Sequence, residues 1–571
     1  YLVNGETGTG KTRLIQEIQD KIYGSYAFID IKCFLEHSKI SYGIFKDILN
    51  FYLKRFETYP DEKKEIYRKK IREITKECGS LILQLNPMMS EFVEKPNELV
   101  ELDKEQEKKR FIFLLADFFK QLANLEIQKG FFVFIDDIQW TDRGSWELLE
   151  LFLENISRYP IFILAACRPS EIAENHFIRP FLDKISYLNH PYYKIDLKNL
   201  DEEENLELVS SLLYQTEDKT RVLADFLYQK SMGNPFLSIE ILKQMVSDHI
   251  VFFKENDWFF DSQKTEKNSI PLSVIEIFLN RINKLNENEK MIIASASVFG
   301  RMFEMKDFFE LNEGMHQKIV ETIDKSIQLQ LIEKSEQNLG TFVFIHDKIQ
   351  NYFYFLLSNE QQKSLHLKIA ALLEKKNPFL TEENLFRVLE HYIKGENEEK
   401  ILEYSFKAGL SAKNLFIHEK ALRYLFLSQK LLKKRGLEGT KEWLETSENI
   451  GEIYLIIGKV DQALAVYQEI LLFKKTAYEK AAIYQKLSFA YFKKGDLTSS
   501  EKFAHLSLAL LKERCPKTKI VFFIKLVKEV FLYGLISILP DFFLKKTIRN
   551  RALNCLKVWN YYTLDLIYAF N

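Results

Sequence analysis

Two patterns of apolar residues alternate along the amino-terminal third of the chain. Uninterrupted apolar runs occupy 131–135 and 161–167, and two further stretches of strand type occupy 26–33 and 193–197. Runs without polar alternation are typical of strands that are buried on both faces of a parallel sheet. Between them, apolar residues recur every three or four positions, which predicts helices over 104–127 and 145–156, among others. This order of elements predicts an α/β domain.

Beyond residue 200 the spacing of apolar residues is mostly helical. The stretch 205–245 is broken at 233–236 by Gly-Asn-Pro-Phe, where a proline ends one helix and begins another. Residues 269–358 alternate helices with a predicted hairpin, whose strands 330–334 and 341–345 flank a turn at Asn338 and Gly340. Helices followed by such a two-stranded wing indicate a winged-helix module.

Positions from about residue 400 repeat at an interval of 37, as at Tyr454 and Tyr491. Gly451 and Ser488 occupy equivalent small-residue positions, and Gly409 belongs to a weaker preceding copy. These offsets are typical of tetratricopeptide hairpins, in which small residues let two helices approach closely. A solenoid of such hairpins offers a concave surface for a protein partner or a sensor domain.

The first twelve residues carry the strongest chemical pattern, because Gly5 to Thr12 fit G-x-x-x-x-G-K-[ST] at every fixed position. The glycines allow the loop to point backbone N–H groups at a phosphate. Lys11 would contact the β- and γ-phosphates, and Thr12 would bind Mg²⁺ at the start of the following helix. The predicted nucleotide-contacting residues are Gly5, Gly8, Thr9, Gly10, Lys11 and Thr12. A glycine-rich turn with a solvated lysine is the alternative.

Charged residues also follow two of the predicted strands. Asp136 and Asp137 come directly after 131–135, and Arg168 follows 161–167. Parallel strands end at one edge of a sheet, so these side chains should lie beside the phosphate loop. Asp136 would then bind Mg²⁺, and Asp137 would orient or deprotonate the attacking water. Arg168 would stabilise the γ-phosphate, although a structural salt bridge explains it equally well.

The predicted architecture is an α/β P-loop NTPase domain followed by helical and winged-helix domains and an α-helical repeat solenoid. The expected boundaries are 1–200 for the P-loop domain, 201–268 for a helical lid-type domain, 269–360 for the winged helix and 361–571 for the repeats.

Composition excludes several classes of protein. Lys and Arg number 80 against 81 Asp and Glu, so the chain offers no global charge for nucleic acid. Its five cysteines are far apart, which favours free thiols in a reducing compartment and a cytoplasmic location. The apolar segment 520–539 is interrupted by charges, so we expect no membrane span. The first residue is Tyr, directly before a loop that needs a strand ahead of it, and we expect a fragment of a longer protein.

The chain resembles signal-transducing P-loop ATPases of the STAND class, which are related to AAA-type ATPases. The resemblance rests on residues 5–12, 134–142 with 148–149, 166–169, 233–236, 271–274, 344–350 and 365–367. It is strongest to the ATPase segment of large bacterial signalling proteins, which lies beside a serine/threonine kinase, a histidine kinase or a nucleotide cyclase domain. The family's adenine-contacting segment upstream of the P-loop is absent from this sequence.

The resemblance implies that Arg168 senses phosphate, that Pro235 lines the nucleotide pocket and that His346 touches the β-phosphate of ADP. With Lys11 and Asp137, Arg168 would complete the catalytic set. No Asn-Lys-x-Asp guanine motif occurs, which favours ATP over GTP.

The sequence therefore predicts an ATP-binding, slowly hydrolysing switch that uses Mg²⁺, controls an output domain outside this chain and is able to oligomerise on ATP binding. One alternative is a transcription regulator of the same ATPase class, and the near-neutral charge of the chain argues against the DNA binding that it requires. Another is a repeat scaffold with an inactive P-loop.

Overall fold

A computed structural model provides the fold. It describes residues 1–22, 24–33, 42–93, 104–125, 130–172, 178–185, 193–266, 274–335, 340–376, 382–513, 527, 557–561 and 563–564. The turn residue Asn338, the stretch 271–273, Cys515, Cys555 and the segment 520–539 apart from residue 527 lie outside the described residues. The chain forms two compact units, Tyr1–Gly395 and Glu396–Asn571.

The first unit begins with a parallel five-stranded sheet, as predicted. Its strands are β1 (Leu2–Asn4), β2 (Ala27–Lys32), β3 (Phe131–Asp136), β4 (Ile161–Cys167) and β5 (Lys194–Asp196). Their order across the sheet is β2-β3-β4-β1-β5, with every pair parallel. Each residue of β3 is buried, in agreement with its unbroken apolar sequence.

Helices α1 (Lys11–Ile22) and α2 (Gly43–Glu57) contact this sheet, and the neighbouring helices pack on one another. Ile15 packs with Val3, Phe134 and Leu164 in one buried cluster. The neighbouring helices are α3 (Asp61–Thr75), α4 (Gly79–Leu85), α5 (Lys104–Asn124), α6 (Arg143–Leu153) and α7 (Arg179–Ile185).

A helical lid region follows the sheet. It contains α8 (Glu202–Leu213), α9 (Glu217–Ser231) and α10 (Pro235–Ser247), and it ends in the hairpin β6 (Val251–Lys254) and β7 (Asp257–Phe260). The helical spacing was predicted and the hairpin was not. Its two turn residues, Glu255 and Asn256, have φ values of 52° and 66°, as the tight turns that fit twisted hairpins require.

The next part of the first unit is a winged helix. Its elements are α11 (Val274–Ile282), α12 (Glu287–Ser297), β8 (Met302–Glu304), α13 (Met305–Leu311), α14 (His316–Gln328), β9 (Ile332–Lys334), β10 (Thr341–Phe344) and α15 (Asp347–Leu356). Two more helices of the first unit follow it, α16 (Asn359–Lys376) and α17 (Glu382–Lys394). The predicted hairpin gains β8 as a third strand, in the antiparallel order β8-β10-β9.

The described part of the second unit is made of antiparallel helix pairs, as the repeat pattern predicted. They are α18 (Glu398–Asn414) with α19 (His418–Lys434), α20 (Lys441–Ile456) with α21 (Val460–Phe473), and α22 (Ala477–Lys494) with α23 (Leu497–Leu510). Small residues mark the crossings: a Cβ on Gly451 would lie 2.6 Å from the ring of Tyr467, and one on Gly409 would lie 2.6 Å from Leu425.

Two further expectations concern the described residues. Cys33, Cys78 and Cys167 are buried free thiols. Within the described ranges, the helices are all too short or too polar to cross a membrane.

Candidate functional site

The loop between β1 and α1 has the curled backbone that its glycines predicted. Gly8 and Gly10 have φ values of 85° and 94°, in the left-handed region that favours glycine. The loop is anchored by hydrogen bonds from the Gly5 N–H to the Cys167 carbonyl and from the Thr9 hydroxyl to the Glu6 carbonyl. Among the described residues, a Cβ on Gly10 would meet nothing within 4 Å, so the space beside this glycine is open.

Lys11 folds back into this loop. Its ammonium donates hydrogen bonds to the carbonyls of Gly5 at 2.6 Å and Glu6 at 3.0 Å. Burial, followed by the charge of Arg168, lowers the pKa of Lys11, while the carboxylates of Asp137 and Asp136 act in the opposite direction. A buried ammonium surrounded by carbonyl oxygens favours an incoming anion. Thr12, one position on, is exposed at the start of α1.

The two acidic residues lie at the carboxyl end of β3, on the edge of the sheet where the phosphate loop also begins. Asp136 and Asp137 are both buried. Burial, and next the charge of Asp137, raise the pKa of Asp136. A divalent cation would offset this unfavourable pairing of carboxylates, and carboxylate and hydroxyl oxygens are ligands that Mg²⁺ prefers. The donor set of Asp136 and Thr12 therefore fits Mg²⁺ chemically.

Asp137 has a left-handed backbone, with φ 52°, and its N–H donates to Asp136 Oδ1 at 3.0 Å. Both oxygens of its carboxylate are hydrogen-bonded. Arg168 Nη2 donates to Oδ2 at 2.8 Å, and Gln139 Nε2 donates to Oδ1 at 3.1 Å. Arg168 thus occupies a buried salt bridge, with its side chain 11% exposed, rather than an open cation position.

Two residues that the sequence did not single out complete this cluster. Glu171 Oε1 accepts a hydrogen bond from Arg168 Nη1 at 2.9 Å, and its Oε2 accepts one from Gln139 Nε2 at 2.8 Å. Gln139 Oε1 accepts the backbone N–H of Arg168 at 3.3 Å. The four side chains, Asp137, Gln139, Arg168 and Glu171, form a closed ring, which we call the Asp137–Arg168 ring.

The ring is linked to the phosphate loop through Ser170. Its N–H donates to Glu6 Oε1 at 3.1 Å, and its hydroxyl donates to Glu6 Oε2 at 2.6 Å. A shift of the phosphate loop would therefore be transmitted to the segment that carries Arg168 and Glu171.

The lid region contacts the same loop through the Gly-Asn-Pro-Phe stretch. Asn234 Oδ1 caps α10 by accepting the N–H of Leu237 at 3.0 Å, and Asn234 Nδ2 donates to the Thr7 carbonyl at 2.9 Å. The N–H of Phe236 donates to the Gly8 carbonyl at 3.2 Å. Pro235 is the first residue of α10, so this stretch is both a helix cap and a contact of the phosphate loop.

His346 lies at the start of α15 and is electrostatically coupled to the ring. Burial, followed by the positive charge of Arg168, lowers the pKa of His346 to about 4, so the imidazole of His346 is neutral at pH 7. Its Nδ1 accepts the backbone N–H of Lys348 at 3.1 Å. The proton of the neutral imidazole therefore resides on Nε2. That nitrogen is buried and has no hydrogen-bond partner among the residues that the structure describes.

Asp142 is a further buried carboxylate that the sequence analysis left without a role. It caps α6 by accepting the N–H of Ser145 at 2.9 Å, and it also accepts the N–H groups of Tyr42 at 3.0 Å and Gly43 at 3.1 Å, where α2 begins. The Asp-x-x-Ser spacing before an amphipathic run was a signal for this cap. No comparable pattern marks Gln139 or Glu171.

The amino-terminal part of the chain, which carries this site, matches a known protein family. A family model described as an AAA ATPase domain matches residues 1–164. This part of the chain is therefore similar to AAA ATPase domains. The match confirms the predicted resemblance to AAA-type P-loop ATPases, and the phosphate loop and the acidic pair both lie within the matched residues.

Two curated relatives are histidine kinases. The chain is 21% identical over 580 residues to hybrid signal transduction histidine kinase G of Dictyostelium discoideum, with 80% of this chain and 17% of that protein covered. It is 26% identical over 176 residues to the peroxide stress-activated histidine kinase mak3 of Schizosaccharomyces pombe, with 30% of this chain and 7% of that protein covered. The chain therefore spans a small part of either relative.

Solved structures show looser similarity. A STAND protein with a tetratricopeptide repeat sensor from Pyrococcus horikoshii is 16% identical, with a TM-score of 0.43 over 90% of this chain and 62% of that chain. A Walker-type ATPase of Pyrococcus abyssi is 14% identical, with a TM-score of 0.25 over 62% of this chain and 90% of that chain.

Proposed function

We propose that this chain is the nucleotide-dependent switch of a multidomain signal-transduction protein, which binds ATP and hydrolyses it slowly. The observation that carries the proposal is the convergence of Lys11, Asp136, Asp137 and Arg168 on one edge of the sheet in an AAA ATPase domain. Open sheets of this kind bind ligands at the carboxyl ends of their strands.

Phosphate binding would use groups that the chain already positions. Gly5, Gly8, Thr9 and Gly10 form the backbone cradle, and Lys11 exchanges its two loop carbonyls for phosphate oxygens. Mg²⁺, held by Thr12 and Asp136, would neutralise charge that develops on the phosphates. Pro235 begins the lid helix beside the loop and would line the same pocket.

Hydrolysis would require a water molecule held by Asp137. As that water attacks the γ-phosphorus, its proton passes to the Asp137 carboxylate, the bond from the γ-phosphorus to the bridging oxygen breaks, and ADP departs with the bonding electrons. Arg168 would stabilise the transferred phosphoryl group. Asp137 and Arg168 form a salt bridge with each other in this structure. Because this salt bridge has to open before either residue can act on water or phosphate, we expect slow turnover.

The winged helix would contact the bound nucleotide through His346. Its unpartnered Nε2–H is suited to a phosphate oxygen, since a donor buried without a partner gains most from such a bond. We propose that ADP is held jointly by the P-loop and His346, so that ATP binding releases the winged helix and changes the state of the protein.

The output and the input of the switch lie in other regions. The two relatives support a histidine kinase domain as the output in the same polypeptide, and another kinase domain or a cyclase domain is the alternative. The helix pairs of the second unit would receive a protein partner or a sensory input. Oligomerisation on ATP binding and a cytoplasmic location remain predictions, as do the domain boundaries at 200, 268 and 360.

A transcription regulator is the second candidate, and the winged helix argues against it. Its helix α14, which directly precedes β9, carries Lys318 and Lys325 together with Glu321 and Asp324. Lys325 is also paired with Glu289 at 2.7 Å. Such a balanced face lacks the basic surface on which DNA binding depends. A repeat scaffold with an inactive P-loop would be favoured if the chain bound no nucleotide.

Replacement of Lys11 tests the proposal. Lys11→Ala removes charge-assisted hydrogen bonds to phosphate, each worth about 1.5–3 kcal/mol, so ATP affinity measured by calorimetry should fall about tenfold to a hundredfold or more. Lys21→Ala, an exposed lysine in the last turn of the same helix, is the matched control and should leave affinity unchanged. Equal ATP affinity of the wild type and Lys11→Ala would remove Lys11 from the site.

A further inference from the structure

We infer that Glu171 and Gln139 are positioning residues that hold the ATPase site inactive, with the Glu171 carboxylate paired to Arg168 in place of the terminal phosphate. The inference rests on the proposed function and adds a form of regulation to the same site. It concerns the Asp137–Arg168 ring described above.

The carboxylate of Asp137 is fully engaged in this arrangement. Arg168 donates to one oxygen at 2.8 Å and Gln139 donates to the other at 3.1 Å. These two donors fix the direction in which both carboxylate oxygens point, toward protein groups on either side. Loss of one donor would leave that oxygen available to a water molecule.

Arg168 is equally engaged. One terminal nitrogen donates to Asp137 and the other donates to Glu171 at 2.9 Å. A guanidinium recognises phosphate with this same fork of donors. Glu171 therefore competes with a phosphate for Arg168. Without the Glu171 carboxylate, Nη1 of Arg168 would be available to a phosphate oxygen.

Gln139 connects the other members of the ring. Its Nε2 lies within hydrogen-bonding distance of both Asp137 Oδ1 and Glu171 Oε2, and its Oε1 accepts the N–H of Arg168. Gln139 is 2% exposed, so the surrounding structure fixes its position. It keeps Asp137 and Glu171 on either side of Arg168 at the correct separation.

Glu171 is the member that can leave most easily. Its side chain is 28% exposed, against 4% for Asp137 and 11% for Arg168, so solvent can replace the contacts it loses. The neighbouring Ser170 is bonded to Glu6 of the phosphate loop. Movement of that loop around a triphosphate would pull on the segment that holds Glu171, which links phosphate binding to release of Arg168.

Glu171→Gln in the full chain tests the inference, because glutamine keeps the size of the side chain and removes its charge. We expect kcat for ATP hydrolysis to rise about threefold to tenfold and ATP affinity to increase severalfold, while ADP affinity stays within about twofold. Glu171→Ala should give the same direction of change. The matched control is Glu203→Gln, which loses an exposed contact with Arg221 at 3.2 Å in the lid region and should change neither quantity.

A double variant checks whether the predicted rise in kcat depends on Asp137. Adding Asp137→Asn to Glu171→Gln should abolish hydrolysis and keep ATP binding, because the activated base would then be missing. An unchanged or lowered kcat in both Glu171 variants, with wild-type ATP affinity intact, would overturn the inference and leave the proposed function standing. Failure of the wild type to bind ATP, with no effect of Lys11→Ala, would overturn both.

Discussion

At the scale of single residues, His346 shows how one backbone hydrogen bond sets the chemistry of a side chain. The N–H of Lys348 occupies Nδ1 and places the proton on Nε2. The charges that act on the imidazole are those of Arg168, Arg301 and Lys348, which lower its pKa, and that of Asp347, which raises it. Together with burial, which is the largest cause, they keep His346 neutral.

A pH dependence of stability follows from His346. Its pKa is about 4 in the folded chain against 6.5 for the free side chain, so between these values the unfolded chain binds a proton that the folded chain excludes. The free energy of unfolding of the first unit should therefore fall as pH drops from 6.5 to 4, by at most about 3 kcal/mol from this residue.

Denaturant unfolding of the wild type and of His346→Asn at several pH values measures this contribution. Asparagine does not titrate and retains an oxygen that can cap α15. The difference between the two unfolding curves should change with pH only between about 4 and 6.5. A difference that is constant across that range would contradict the assigned protonation state.

The residue scale also shows where sequence reasoning succeeds. Lys11 could be singled out from its glycine-rich motif, and Asp136 and Asp137 could be singled out because they follow the unbroken apolar run of β3. Gln139 and Glu171 could not, since their roles depend on how two loops approach each other and not on local spacing. Arg168 was left open between a phosphate sensor and a salt bridge, and the structure shows the salt bridge that the proposed ATP state would break.

At the scale of elements, the close approach of paired helices depends on small residues. A Cβ on Gly451 would lie 2.6 Å from Cε1 of Tyr467, whose ring is fully buried and cannot move aside. Overpacking of this kind costs about 1–3 kcal/mol, and alanine regains up to about 1 kcal/mol through helix propensity. Gly451→Ala should therefore destabilise the second unit by about 1–2 kcal/mol in denaturant unfolding.

A compensating replacement separates the clash from other effects. Tyr467→Leu removes the ring atoms that the new Cβ would meet. Although this change is itself destabilising, the double variant should be more stable than the sum of the two single effects predicts. Simple additivity would show that the close approach of α20 and α21 is not what requires glycine at 451.

Elements were predicted well where one physical cause dominates their sequence. The buried strands β3 and β4 have unbroken apolar runs, and the repeat helices recur at a fixed interval. The hairpin β6–β7 was missed although Glu255 and Asn256 separate two aromatic stretches, because neither residue is glycine and the turn signal is weak. Strand β8 was missed because three residues, Met302–Glu304, carry too little pattern.

At the scale of the whole molecule, the order of the parts was predictable and their contacts were not. The sequence gives a P-loop domain, a lid region, a winged helix and repeats in that order. It does not show that Asn234 of the lid region bonds the phosphate loop, or that His346 of the winged helix lies within the electrostatic influence of Arg168. Those contacts join positions more than 170 residues apart and depend on tertiary packing.

The central claim is that one nucleotide is held by both the P-loop and the winged helix, and calorimetric titration of ADP into His346→Ala tests it most directly. His316→Ala, an exposed histidine at the start of α14, is the matched control. Loss of a donor to the charged β-phosphate should weaken ADP binding by about tenfold or more, while the control binds as the wild type does. An ADP affinity within twofold of wild type in His346→Ala would contradict the account.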